Sequence, residues 1–167
     1  MKPLNQYIKE KLIINKDYRG ATIVVKSFDE LRKIIEDRYE KLGPGTEHNP
    51  IDFNDVDVSN LDSFYNKGIG IFENIKFKYI DISGWDVSNV TDMHYMFYDC
   101  EELESVGDIS GWDVLNVISM TGMFHSCENF NQDLSNWDVS KVKNYVLMFH
   151  NCPIKDEYKP IKTIKLQ

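Results

Sequence analysis

Three cysteines, two of which follow a histidine, are the residues of this sequence best suited to cross-linking or metal binding. His125 with Cys127, and His150 with Cys152, form the two-histidine, two-cysteine set of a structural zinc site. Residues i and i+2 of a helical turn point about 200° apart, so each histidine should face solvent while its cysteine turns inward. We therefore expect no metal site. Because Cys100 and the other two cysteines share the register of an apolar Met-x-x-Met-Phe segment, we expect packed, reduced thiols.

Two rows of aspartates recur with the spacing of the cysteines. One row follows the tryptophans and consists of Asp86, Asp113 and Asp138, with Asp57 in an earlier, degenerate copy. Carboxylates that stack on one another repel, so each needs compensation from backbone N–H groups of the following turn or from a cation such as calcium. The glycine-rich nonapeptide of calcium-binding β-rolls is absent, so we predict backbone hydrogen bonds for this row.

The second row of aspartates precedes the tryptophans, and each of its members is followed two residues later by a serine. Such residues are either simply solvated or form a surface that binds a partner. The sequence thus nominates six candidate partner-binding residues: Asp81, Ser83, Asp108, Ser110, Asp133 and Ser135.

Three tryptophans carry rings that can stack on sugars or bases. Trp85, Trp112 and Trp137 keep strict register with aliphatic residues, which favours a buried structural spine instead. The sequence contains no nucleophile elbow, phosphate loop, HExxH motif or pair of carboxylates at a catalytic spacing. We therefore predict no catalytic residue, no cofactor and no enzyme activity.

The composition is that of a globular protein with an acidic balance. Of 167 residues, 42% are hydrophobic and 28% are charged, which supports a packed core. The 27 acidic and 19 basic residues give a net charge of −8, which disfavours direct binding to nucleic acid or an anionic membrane and favours a basic protein partner. Neither a long apolar segment nor an export signal is found, so we expect a cytoplasmic location.

Charge is distributed unevenly and indicates three regions. Residues 1–50 carry ten basic and eight acidic residues, residues 51–154 carry five and seventeen, and residues 155–167 carry four and two. The resulting charges are +2, −12 and +2, and the loop-forming Gly43-Pro44-Gly45 lies near the first change. We predict an N-terminal α/β cap over residues 1–50, a repeat body over 51–152 and a C-terminal cap over 153–167.

Hydrophobic periodicity predicts two helices and a strand in the N-terminal cap. One helix covers residues 4–13, and the β-branched segment Thr22–Val25 is typical of a short strand. The second helix begins after Ser27, which can cap it together with Glu30, and ends at Gly43.

The body consists of repeats that each begin with Trp-Asp-Val, at Trp85, Trp112 and Trp137. A phenylalanine follows each tryptophan by twelve residues, a cysteine comes three residues later, and residues 56–61 form the degenerate first copy. Each unit should hold a very short strand, a turn and a helical turn such as residues 90–97, capped by Asn89. Units of this size cannot bury both faces alone, so we expect them to stack.

Residues 81–97 resemble the BspA-like, mycoplasma-type surface-protein repeat, a member of the leucine-rich-repeat group. They read Asp-Ile-Ser-Gly-Trp-Asp-Val-Ser-Asn-Val-Thr-Asp-Met-x-x-Met-Phe. The resemblance covers residues 51–152 and implies a right-handed solenoid. The segments Leu4–Leu12 and Leu31–Ile35 are similar to a leader found before such repeats in uncharacterised proteins of gut bacteriophages.

The sequence therefore predicts an α/β protein, namely a short leucine-rich-repeat-like solenoid of about four coils with an N-terminal α/β cap. Its predicted function is that of a non-enzymatic protein-protein interaction module whose acidic repeat surface binds a basic partner. The leader resemblance implies a phage-encoded host-interaction protein. Two other classes stay open: a glycan- or calcium-binding adhesion-type protein, and a structural virion or scaffold component.

Overall fold

The computed structural model describes residues 22–160, so the predicted first helix over residues 4–13 lies outside the described residues. The described residues form one α-helix, six strands of two residues each and one 3₁₀-helix. In chain order these elements are β1 (Ile23–Val24), α1 (Phe28–Leu42), β2 (Ile51–Asp52), β3 (Val56–Asp57), β4 (Tyr65–Asn66), β5 (Ile69–Gly70), β6 (Ile80–Asp81) and the 3₁₀-helix Asp156–Tyr158.

Local capping sets both ends of α1. The Ser27 hydroxyl accepts a hydrogen bond from the backbone N–H of Glu30 at 3.2 Å, and the Glu30 carboxylate accepts one from the N–H of Lys26 at 2.7 Å. Gly43 ends the helix with a φ of 75°, and its N–H donates to the Tyr39 carbonyl at 2.8 Å. The predicted start and end of this helix are confirmed.

The strands pair in three separate sheets of two strands each. β1 pairs in parallel with β3, and Ile23 lies opposite Val56. β2 pairs in parallel with β6, whereas β4 and β5 form an antiparallel hairpin. The strand predicted over Thr22–Val25 is thus confirmed as β1, and it joins the N-terminal segment to the first repeat unit.

The predicted α/β fold, a leucine-rich-repeat-like solenoid with an α/β cap, is wrong. Across residues 22–160 no continuous sheet links the units, and the expected helical turn at residues 90–97 contains no helix. Successive units are joined instead by isolated parallel bridges, from Ser63 to Asp92, from Asp92 to Ser119 and from Ser119 to Asn144. The structure is a mostly small-strand fold in which turns predominate.

Competition for backbone acceptors explains why these turn segments are not helical. A helix would send each N–H group to the carbonyl four residues back, but Met93 N–H donates to the Ser119 carbonyl of the following unit at 2.9 Å. Tyr95 has a φ of 54°, in the left-handed region, which interrupts a right-handed helix. Asn89, expected to cap that helix, donates its side-chain amide to the Ser59 carbonyl of the preceding unit at 2.9 Å.

One hydrophobic core runs through the units and includes α1. Phenylalanines at the same position of successive units stack, with ring centroids 5.3 Å apart for Phe72 and Phe97 and 5.2 Å apart for Phe97 and Phe124. Leu31 and Ile35 of α1 are buried in the same core. Full burial of such a side chain contributes roughly 1.5–3 kcal/mol to the free energy of unfolding. Because these side chains are buried against neighbouring units, each unit depends on its neighbours for this contribution.

The α1 helix also closes the first unit through a polar contact. The Arg32 guanidinium donates from Nη1 to the backbone carbonyls of Gly70, Ile71 and Glu73 at 3.2, 3.0 and 3.2 Å. These carbonyls lie 38, 39 and 41 residues further along the chain, so sequence periodicity does not reveal the contact. Arg32 therefore supplies hydrogen bonds to an edge of backbone that no earlier repeat unit covers.

Candidate functional site

The six candidate partner-binding residues form three copies of one local turn. In each copy the aspartate Oδ1 accepts a hydrogen bond from the N–H of the serine two residues later, at 3.0 Å for Asp81, 3.0 Å for Asp108 and 2.9 Å for Asp133. The hydroxyl groups of Ser83 and Ser110 donate to the same oxygens at 2.7 Å. Short side chains such as aspartate and serine favour this arrangement because they reach the backbone two residues away.

Three of these residues meet at an open groove between adjacent units. Asp108, Ser110 and Asp133 line a groove with a volume of about 460 Å³. The other three candidate residues are not part of its lining. The groove is completed by Ser105, Gly107, Ile109, Gln132 and Asn136.

Gln132 and Gly107 shape the groove, and sequence reasoning missed both. The Gln132 side chain accepts from the Val106 N–H at 2.9 Å and donates to the Gly107 carbonyl at 2.9 Å, so it bridges two units. Gly107 has a φ of 80°, and a Cβ there would lie 2.4 Å from the Asp81 carboxylate, so a larger residue does not fit.

The groove carboxylates are ionised. Hydrogen bonds from the side chain and backbone of Ser110 lower the pKa of Asp108, and those of Ser135 lower the pKa of Asp133. Burial has the largest influence on the pKa of Asp81 and raises it, but hydrogen bonds from the neighbouring side chains and backbone outweigh burial, so this pKa is also lowered. None of the ion pairs among residues 22–160 involves these three carboxylates. Their charge is therefore available to a cationic partner.

The other aspartate row makes the same turns, which confirms the predicted backbone hydrogen bonds. Asp57, Asp86, Asp113 and Asp138 each accept from the N–H two residues later, at 2.9, 3.1, 3.1 and 2.9 Å. The pKa values of Asp57, Asp86 and Asp138 are lowered mainly by hydrogen bonds from the serine in that position. The two rows thus have the same local chemistry, and the groove is what distinguishes them.

The three tryptophans form the buried spine that the sequence predicts. Trp85, Trp112 and Trp137 expose only 4%, 7% and 3% of their surface. The indole N–H of Trp85 donates to the Phe53 carbonyl and that of Trp137 to the Ile109 carbonyl, both at 2.9 Å. Rings buried to this extent cannot stack on a sugar, so a glycan-binding role loses the residues on which it depended.

The cysteines pack against the preceding unit. Cys100 and Cys127 are buried, and their thiols donate to the carbonyls of Phe72 and Phe97 at 3.1 and 3.0 Å. Cys152 is half-buried. Burial raises the pKa of Cys100 to about 12, raises that of Cys127 still further and raises that of Cys152 to about 11. The prediction of packed thiols is confirmed for the first two.

The histidines do not follow the helical geometry that the sequence suggested. His125 is half-buried, because its ring stacks on that of Tyr98, with the ring centroids 4.6 Å apart, and its centroid lies 5.0 Å from that of the His150 ring. The expectation that His125 faces solvent is therefore wrong, whereas His150 is exposed. Within residues 22–160, no three His, Cys, Asp or Glu side chains are grouped so as to hold a metal ion.

Among the described residues, no helix has the length and apolar character needed to cross a membrane.

Comparison with known proteins places the repeat body in a family. No curated protein matches the chain, and no solved structure does. A family model described as "Mycoplasma protein of unknown function, DUF285" matches residues 51–160. The chain therefore belongs to this family, whose relatives include BspA-like surface proteins.

Proposed function

We propose that this protein is a non-enzymatic protein-binding module and that its groove receives a lysine or arginine side chain of a basic partner. The observation that carries the proposal is the pair of ionised carboxylates, Asp108 and Asp133, at an open groove of about 460 Å³ without a cation among residues 22–160 to neutralise them. Ser110 orients the first of these carboxylates through two hydrogen bonds, so the acceptor is held in place before the partner arrives.

Long-range charge supports the same proposal. Residues 51–154 carry seventeen acidic and five basic residues, and this excess attracts a basic protein while it repels nucleic acid and anionic membranes. Steering of this kind raises the association rate and weakens as salt screens charges beyond about 10 Å. We further propose that the partner's basic surface is one that otherwise receives nucleic acid, since the acidic body carries the same sign of charge as a nucleic acid.

The biological setting that we propose is a bacteriophage that uses this protein in the cytoplasm of its host. The resemblance of Leu4–Leu12 and Leu31–Ile35 to a phage leader supports this proposal. Most of that leader lies outside residues 22–160, so its support comes from the sequence alone.

The groove can be tested with an oligolysine peptide and two matched double variants. Asp108→Asn/Asp133→Asn removes the groove charges but keeps an oxygen that can accept the turn hydrogen bonds. Asp86→Asn/Asp113→Asn makes the same change of charge in the other row. Exposed ion pairs are worth roughly 0.2–1 kcal/mol each, so the groove variant should bind the peptide about two- to thirtyfold more weakly than the control variant.

Equal loss of peptide binding in both variants would show that diffuse charge, not the groove, attracts cations. Circular dichroism of both variants checks that they remain folded. The groove variant then serves as the negative control when the natural partner is captured from host extract and identified by mass spectrometry.

A further inference from the structure

The repeat units have a polarity in their backbone hydrogen bonds. In the turn segment of each unit, alternate N–H groups donate to carbonyls of the following unit. The following unit returns backbone hydrogen bonds only at the start of the segment, as from Ile118 and Ser119 to the Thr91 carbonyl. In the third unit, the N–H groups of Met120, Gly122, Phe124 and Ser126 donate to the carbonyls of Asn144, Val146, Met148 and His150 at 2.7, 3.0, 2.9 and 2.8 Å. The first unit of such a series therefore ends in an edge of acceptors, and the last unit ends in an edge of donors.

The acceptor edge and the donor edge differ in whether their backbone groups have hydrogen-bond partners. On the acceptor edge, Arg32 of α1 donates to the carbonyls of Ile71 and Glu73, which are equivalent to the acceptors Met96 and Tyr98, and it also donates to the neighbouring Gly70 carbonyl. The donor edge consists of the N–H groups of Tyr145, Leu147, Phe149 and Asn151, at the positions equivalent to the four donors of the preceding unit. Within residues 22–160, none of these four N–H groups has an acceptor. Backbone donors of this kind normally find a partner, so the donor edge is an incomplete interaction.

Apolar side chains lie on the same edge. Val146 and Leu147 are 66% and 54% exposed, more than any other large hydrophobic residue in the described part of the chain. The equivalent residues of the preceding unit are Thr121 and Gly122. Leu147 and Gly122 both have a φ of 58°, a left-handed conformation that costs a leucine free energy and a glycine none. The equivalent residue of the second unit, Tyr95, is also left-handed, so the fold imposes this conformation on each of the last three units and the last unit places an exposed leucine in it.

Charge at this edge is opposite in sign to that of the repeat body. Between residues 139 and 154 the chain contains Lys141 and Lys143 and no acidic residue. Both lysines are exposed. The unpaired N–H groups add partial positive charge of their own. The donor edge therefore favours a segment that carries carboxylates.

A second copy of this chain does not satisfy the donor edge through its own edges. Its acceptor edge is occupied by Arg32, and its donor edge offers a single carbonyl, that of Lys143, against four N–H groups. An ordinary β-strand is also a poor match, because the residues along one of its edges present N–H and C=O groups together. A turn segment like those within this protein, with a left-handed residue at every fourth position, presents mainly carbonyls on one of its edges.

We propose that the donor edge, formed by the N–H groups of Tyr145, Leu147, Phe149 and Asn151, binds an acidic, apolar turn segment of a partner protein that presents backbone carbonyls. The apolar residues of that segment cover Val146 and Leu147, and its carboxylates lie near Lys143. This surface is separate from the groove at Asp108 and Asp133, so the proposal does not depend on the function proposed for the groove.

The test uses amide hydrogen exchange in the full chain, with a synthetic peptide as the probe. The peptide has the sequence of residues 91–101, an acidic and apolar turn segment whose carbonyls accept hydrogen bonds from the unit before it. A scrambled peptide of the same composition is the control. We expect the four amides to exchange rapidly in the free protein, and saturating peptide to slow their exchange by about tenfold or more while the scrambled peptide does not.

A double variant built from the chain's own sequence tests the apolar part of the edge. Val146→Thr/Leu147→Gly copies the preceding unit, so it keeps the fold and the four N–H groups while it removes the exposed apolar surface. It should bind the peptide at least about fivefold more weakly, at an unchanged or higher melting temperature.

Three outcomes would overturn the proposal. The first is slow exchange of the four amides in the free dilute protein, which would mean that another part of this chain covers the edge. The second is protection of the amides that rises with protein concentration, which would mean that a second copy covers the edge. The third is exchange that the peptide leaves unchanged or slows no more than its scrambled form does, which would mean that the edge binds no such segment.

Discussion

Arg38 of α1 and Asp55, which directly precedes β3, form a bidentate ion pair, with both nitrogen-to-oxygen distances at 2.8 Å. Arg38 is 2% exposed, and its guanidinium also donates to the Asp52 carbonyl and lies 4.8 Å from the centre of the Phe53 ring. A charge buried so deeply is tolerated only with such partners. The pair therefore joins the helix to the repeats.

Removal of one member of this pair should be costly. Asp55→Ala leaves the buried Arg38 charge without its carboxylate, and we expect a loss of about 3–5 kcal/mol in the free energy of unfolding, measured with urea. The exposed pair of Lys76 and Glu101 provides the control, since Glu101→Ala should cost less than about 1 kcal/mol. Similar small effects for both variants would show that α1 docks without the ion pair.

Tryptophan substitutions should separate packing from hydrogen bonding. Trp112→Ala removes a buried ring that stacks on Trp137 with the ring centroids 6.2 Å apart. It should lower the free energy of unfolding by about 3–5 kcal/mol. Trp137→Phe leaves the Ile109 carbonyl without its indole donor, whereas the Trp112 indole N–H has no acceptor in the described residues. Trp137→Phe should thus be worse than Trp112→Phe by about 1–3 kcal/mol in urea unfolding. An unchanged melting temperature for Trp112→Ala would contradict the buried spine.

The thiols should react slowly and in a definite order. Only a thiolate attacks a labelling reagent, and burial raises the pKa of Cys100 to about 12 and that of Cys152 to about 11. Cys152 is also less buried than Cys100 and Cys127, so we expect it to be labelled first in the native protein. Denaturation without reductant should release three titratable thiols. Fewer than three would indicate a disulfide in the protein.

Acid should destabilise the protein as the turn aspartates become protonated. The pKa values of Asp86, Asp108, Asp133 and Asp138 are lowered in the folded state, so the stability that they contribute is complete above the unfolded-state pKa of about 3.9. That stability is lost as the pH falls through the lower folded-state values. Melting temperatures measured across this range should fall more steeply for the natural protein than for a variant with asparagine at all four positions. Parallel curves would assign the acid sensitivity to other groups.

The amino-acid sequence by itself determined the features that depend on neighbours in the chain or on repeat register. Ser27 and Gly43 set the ends of α1 because capping involves only residues within one turn. Aspartates found their N–H partners two residues away for the same reason. Burial of the tryptophans followed from their register with aliphatic residues, since equivalent positions of stacked units share one environment.

The tertiary structure alone decided the conformation of the turn segments and the composition of the groove. Residues 90–97 have helical spacing, but the next unit offers carbonyls to their N–H groups, and this competition replaces helix with turns. Gln132 and Gly107 meet 25 residues apart, and Arg38 reaches Asp55 across 17, at distances along the chain where local periodicity carries no information. Contacts of this kind depend on which backbone groups a neighbouring segment leaves open, and that is settled only when the segments pack together.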